Sequence, residues 1–133
     1  MSRDARLFLM LGAGNGGLAV ILGAFGAHGL EARLTPELLD TYETAASYHF
    51  YHALGLLAVG WVVSQLPGSG AARWAGRLMM LGILLFCGAL YTLAVSGQTW
   101  LGAVAPLGGS SFVAGWAALL LALVKDGRPH PSG

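Results

Sequence analysis

Three uncharged runs constrain this chain more than any other feature. Leu7 to Leu30, Thr44 to Ala72 and Leu78 to Val124 contain no Asp, Glu, Lys or Arg over 24, 29 and 47 residues. About 20 helical residues cross a hydrocarbon core about 30 Å thick, so the first two runs suffice for one span each and the third for two. Backbone N–H and C=O groups in lipid must be paired within the chain, which helices achieve segment by segment. Only 10% of the residues are charged, against about 25% in a typical soluble domain. These features predict an all-α, polytopic membrane protein. It would form a single domain over residues 1–133, with four transmembrane helices in a compact bundle at about 7–28, 44–66, 74–95 and 106–124.

Basic residues orient that topology. Arg3, Arg6, Arg73, Arg77, Lys125 and Arg128 fall on one side of a four-span chain, and Arg33 on the other. The positive-inside rule then predicts cytoplasmic N- and C-termini for a multi-pass membrane protein. The apolar run of the first span exceeds the 7–15 residues of a signal-peptide core, so the span is expected to be retained. Gly12, Gly16, Ala19, Gly23 and Gly26 recur on one side of it. Such a smooth stripe lets a neighbouring backbone approach closely, so Gly12, Gly16, Gly23 and Gly26 are the predicted helix-packing positions.

Thr35-Pro36-Glu37 reads as a helix start, with a threonine N-cap, proline at the first helical position and glutamate in the first turn. The next proline is Pro67, which predicts one helix about 30 residues and about 45 Å long. Its first turns, 36–46, would form an interfacial amphipathic lead into the second span. Leu38, Tyr42, Ala45, His49, His52 and Leu56 share one face of it, and Glu37, Asp40, Glu43 and Ser47 the other. Residues 66–73 read as a turn, and 126–133 as a disordered tail.

Chemistry-bearing side chains concentrate between Gly23 and His52. His28 ends the first span, while His49 and His52 lie three residues apart on the inward face of the second. Together they are the candidate ligand or metal cluster, since three imidazoles would suit zinc or copper. The competing reading is structural: histidines hydrogen-bonded to backbone, tyrosine or Asn15. No cofactor is predicted, and the metal remains the secondary reading. Cys87 cannot form an internal disulfide and reads as a small apolar packing residue. Ser-His-acid sets, phosphate loops, HExxH and CxxC are absent, so no enzyme is expected. Without a basic run beyond what topology explains, no nucleic-acid partner is expected either. Ser110 and Ser111 are expected to bond back to a carbonyl of the fourth helix.

Three ordered motifs carry a resemblance. Leu22-Gly-Ala-Phe-Gly-Ala-His-Gly-Leu30 supplies Gly23, Phe25, Gly26, His28 and Gly29. Thr44, Ala45, Tyr48 and His52 form a Thr-Ala-x-x-Tyr-x-x-x-His pattern, and Pro106, Gly108, Gly109, Phe112, Gly115 and Trp116 form the third. With these, the chain resembles the domain of unknown function 423 family, which includes a eukaryotic relative called transmembrane protein 256. The resemblance implies a four-span bacterial plasma-membrane protein and no particular activity. The functional expectation is therefore a non-enzymatic scaffold, accessory or lipid-interacting bundle, set in the lipid bilayer and open to homo-oligomers or a larger membrane complex. The alternative is a metal- or small-ligand-binding or transport protein that uses the three histidines.

Overall fold

The computed structural model describes residues 1–129 and 131. Helix α1, Arg3–Phe25, starts at Ser2, whose hydroxyl accepts the Ala5 N–H at 3.2 Å. It continues into a π-helical turn, Gly26–Leu30. Helix α2, Pro36–Gln65, is capped by Thr35, which accepts the Leu38 N–H at 3.3 Å. Helix α3, Gly70–Gly82, begins at the Ser69 cap. A second π-turn, Ile83–Cys87, joins it to α4, Gly88–Ser96, as one continuous helix. Gly97 stops that helix at φ 72°, a left-handed conformation that glycine adopts without a Cβ clash. A 3-10 segment, Thr99–Ala103, leads into α5, Ala105–Lys125.

Three helical stretches are long and apolar enough to cross a membrane: Arg3–Leu30, Gly70–Ser96 and Thr99–Lys125. Helix α2 is not among them: it packs against three other helices and carries two histidines on its buried side, while Phe50, Tyr51, Leu54 and Trp61 keep an exposed face. α1 packs along α2, α3 packs along α5, and α2 also meets α3 and α4. Eleven α2 residues are buried, including His49 and His52. Glu37, Asp40, Glu43 and Ser47 are exposed. A helix facing protein on several sides can carry polar side chains that a lipid-facing helix cannot, which lowers its hydropathy.

The two ends of the bundle differ. At one end, Ala5 and Phe8 of α1 meet Val62 and Val63 of α2, Ala72 and Ala75 of α3, and Ala122 of α5. Asp4 pairs with Arg73 at 3.9 Å, and the Ser69 hydroxyl donates to the Asp126 carboxylate. Both described chain ends and the 66–69 turn therefore share this end. At the other end, Leu30, Tyr42 and Ala94 form a smaller cluster with Leu22, Leu34 and Tyr91. Asp126 revises the expectation of a tail disordered from 126 onward, since it is anchored to Ser69; His130, Ser132 and Gly133 lie outside the described residues.

Close helix approach is carried by particular glycines. A Cβ at Gly12 would stand 2.9 Å from the Ala53 carbonyl oxygen, and one at Gly108 would collide with the Phe86 backbone. Gly82 similarly leaves room for the Phe112 ring. Ser111 departs from the expected back-bond within its own helix: its hydroxyl crosses to the Leu78 carbonyl of α3 at 2.6 Å, while Ser110 bonds back to the Pro106 carbonyl at 2.8 Å.

Candidate functional site: two histidine networks on one helix

Amphipathic phasing of α2 turns His49 and His52 inward, where they are 3% and 5% exposed. They sit one turn apart and engage different neighbours. His49 Nε2 lies 2.8 Å from Asn15 Oδ1 of α1, and its Nδ1 lies 3.0 Å from the Tyr91 hydroxyl of α4. Asn15 also donates its amide N–H to the Leu11 carbonyl at 2.8 Å. Helix α2 is thereby tied to α1 on one side and to α4 on the other through a single imidazole.

His52 makes the second network. Its Nδ1 lies 2.7 Å from the Tyr48 carbonyl, and the Trp116 indole N–H donates to its Nε2 at 3.0 Å. The ring stacks on Phe112 with centroids 3.5 Å apart and planes 11° apart. Phe112 meets Phe86 edge-on, and Tyr48 tilts against the same Phe86. The second and third motifs of the sequence thus converge here, with Tyr48 and His52 against Phe112 and Trp116. Pro106 opens α5, Gly108 makes room for Phe86, a Cβ at Gly109 would meet that ring only at an ordinary 3.8 Å, and Gly115 fits against Met79 and the Ala75 carbonyl.

Partner chemistry fixes both protonation patterns. Asn15 gives its N–H to Leu11, so its Oδ1 accepts and His49 must carry its proton on Nε2. A buried imidazole with no carboxylate beside it stays uncharged, because burying an unpaired charge is costly; the Tyr91 O–H therefore donates to a bare Nδ1. A carbonyl only accepts and an indole N–H only donates, so His52 carries its proton on Nδ1 and leaves Nε2 bare. Both rings are neutral, in opposite tautomers, and no ring nitrogen is free.

The third histidine does not join them. His28 is exposed on the π-turn Gly26–Leu30. A π-turn makes i→i+5 rather than i→i+4 bonds, so residues beyond Gly26 rotate out of the angular phase that an uninterrupted α-helix assigns them. Among the described residues, no three His, Cys, Asp or Glu side chains stand together as a metal-holding group. The candidate cluster of His28, His49 and His52 is therefore not assembled: one member faces outward, and the other two are engaged by separate partners.

The first motif serves packing at several positions. Gly26 abuts the Tyr42 ring, Gly29 faces Phe25, and the Tyr42 hydroxyl donates to the Leu22 carbonyl at 2.6 Å. Phe25 itself is exposed. Of the four expected packing glycines, Gly12 and Gly26 meet α2 tightly, and Gly16 meets Ala53 at an ordinary 3.8 Å. Gly23 is a correction to the stripe: a Cβ there would meet nothing within 4 Å. Tyr91 had no place in the sequence-based site, and Tyr42 appeared there only as a member of the His49 and His52 face. Tyr91 gave a weak signal, a lone tyrosine in an apolar helix, although a phenol at membrane depth needs a partner.

Fold and site together define an all-helical membrane bundle whose inner helix carries polar side chains fastened to its neighbours. The chain belongs to the family described as "Protein of unknown function (DUF423)", which matches residues 22–109. It is 48% identical to the UPF0382 membrane protein YwdK of Bacillus subtilis over 120 residues, covering 90% of this chain and 98% of that protein. A UPF0382 membrane protein of Staphylococcus epidermidis is 43% identical, and one of Staphylococcus saprophyticus 42%, each over 90% of this chain and 97% and 98% of theirs. No solved structure matches.

Proposed function

We propose that this chain is a four-span protein of the bacterial plasma membrane with both termini in the cytoplasm, acting without catalysis as a small lipid-interacting scaffold or accessory bundle. One observation carries the reading: among the described residues, every buried side-chain nitrogen and oxygen already has a partner within the chain. The histidines that invite a chemical role are thus used in holding helices together, and what the molecule offers outward is apolar. Met10, Val20, Ile21, Leu84, Val113 and Leu120 are among the large side chains left exposed. Such a surface is at home in lipid. A four-span topology is supported by the position of α2 against α1, α3 and α4 and by its 30-residue length. Orientation is supported by Arg3, Arg6, Arg73, Arg77, Lys125 and Arg128 gathering towards the end shared by the chain ends.

Two measurements test this reading. In a Cys87→Ala background, a membrane-impermeant maleimide applied to intact cells should label Ala32→Cys and Gln98→Cys, and should reach Gly68→Cys only after permeabilisation; the reverse pattern refutes the orientation. Native mass spectrometry after detergent exchange should find phospholipid retained on the purified protein. A chain that retains none refutes the lipid-interacting role.

A further inference from the structure

We infer that the groove between α1 and the continuous α3–α4 helix is a site for an anionic phospholipid, its phosphate on Arg77 and one acyl chain lying in the groove as far as His49 and Tyr91. This deepens the lipid-interacting reading and rests on it. The groove begins as a cavity of about 360 Å³ at the end shared by the chain ends, rimmed by Asp4, Arg73 and Arg77 and walled by apolar side chains such as Phe8 and Leu11. A second cavity of about 190 Å³ shares Met80 and Leu84 with the first and reaches Asn15, His49 and Tyr91. It exists because α1 packs chiefly along α2 rather than along α3–α4.

The two ends of this groove differ in chemistry. At its mouth, Arg73 is already engaged, paired with Asp4 at 3.9 Å and donating to the Pro67 carbonyl at 2.8 Å. Arg77 makes no ion pair among the described residues. Its guanidinium lies 5.1 Å from the Trp74 ring centroid, and both side chains are exposed. An arginine fork matches a phosphate in two-pronged fashion, and tryptophan favours the headgroup level. Deeper in, the polar atoms of His49, Asn15 and Tyr91 are turned to one another, so the wall is almost wholly carbon. From Arg77 to Tyr91 the helix rises about 21 Å at 1.5 Å per residue. That matches one leaflet with its headgroup region, about half of a 40–45 Å bilayer. Charge at one end only and a carbon-lined path of one leaflet's depth fit a lipid. A free anion would have no use for the path, and a partner helix would need a groove of full membrane depth.

The test is lipid retention by native mass spectrometry on the delipidated full chain, titrated with phosphatidylglycerol or phosphatidylcholine. Wild type should hold one phosphatidylglycerol about fivefold more tightly than phosphatidylcholine, the effect of one well-placed basic residue. Arg77→Gln should abolish that preference, whereas Lys125→Gln should leave it intact. Leu84→Trp, which fills the groove, should weaken both lipids, and inorganic phosphate should not displace either. Circular dichroism melting confirms that each variant is folded. Equal binding of both lipids by wild type, or an equal loss in Lys125→Gln, overturns the site while leaving a lipid-interacting bundle. Failure of wild type to retain any lipid overturns the broader reading as well.

Discussion

Two regions of the bundle hold their helices by different means. Around Leu56, Val59 and Val63 of α2, the neighbours are Ala5, Phe8, Ala72, Ala75 and Met79, and the contact is almost wholly aliphatic. Around His49 and His52, one turn earlier, the same helix is tied by hydrogen bonds to Asn15, Tyr91 and Trp116. In lipid, burying a leucine against protein gains little over leaving it against acyl chains, so the aliphatic region depends on dense packing and close backbones. The polar region depends on directed bonds, worth about 0.6 kcal/mol each on average and up to about 1.7. The aliphatic half therefore sets how closely the helices approach, and the histidine half sets which residues face one another.

The sharpest way to break the packing is at the α5 crossing. Gly108→Val should destabilise the bundle by about 3 kcal/mol or prevent its folding, since a Cβ already meets the Phe86 backbone, which cannot move aside as a side chain end can. Unfolding in mixed micelles measures this; a loss below that of His49→Leu would show that close backbone contact holds the bundle less strongly than the histidine bonds. His49→Leu itself should cost about 1–2 kcal/mol, since it removes two bonds and orphans Asn15 Oδ1. A double-mutant cycle then separates the networks. His49→Leu with Tyr91→Phe should couple, whereas His49→Leu with Trp116→Phe should be additive within about 0.5 kcal/mol. The smallest effect belongs to Gly23→Ala, expected within about 0.5 kcal/mol of wild type because the new methyl meets open space. A large loss there would restore Gly23 to the packing stripe.

What could be read from the residues alone follows the same division. The start of α2 at Pro36 and its buried face were legible because Thr35, Pro36, Glu37, Asp40 and Glu43 phase the helix without help from the rest of the chain. Asn15 and tyrosine were legible as possible histidine partners, but which histidine would meet them was not. The two π-turns were illegible. Gly26–Leu30 lies where Gly26 meets Tyr42, and Ile83–Cys87 lies where Phe86 meets Gly108, so both are contacts between distant segments rather than local preferences. Because the first π-turn changes the helical phase at Gly26, the periodicity of α1 could not tell which way His28 faces. Asp126 was missed for the same kind of reason, since its partner Ser69 is 57 residues away.

His49 and His52 are neutral fasteners in opposite tautomers, each engaged by its own neighbours. Solid-state ¹⁵N NMR of histidine-labelled protein in bilayers, with His49→Gln and His52→Gln for assignment, reads both rings. One buried ring should be protonated on Nε2 and lost in His49→Gln, and one on Nδ1 and lost in His52→Gln, with neither shifted by added zinc or copper. Matching tautomers, or buried ring signals that move on metal addition, would contradict this assignment.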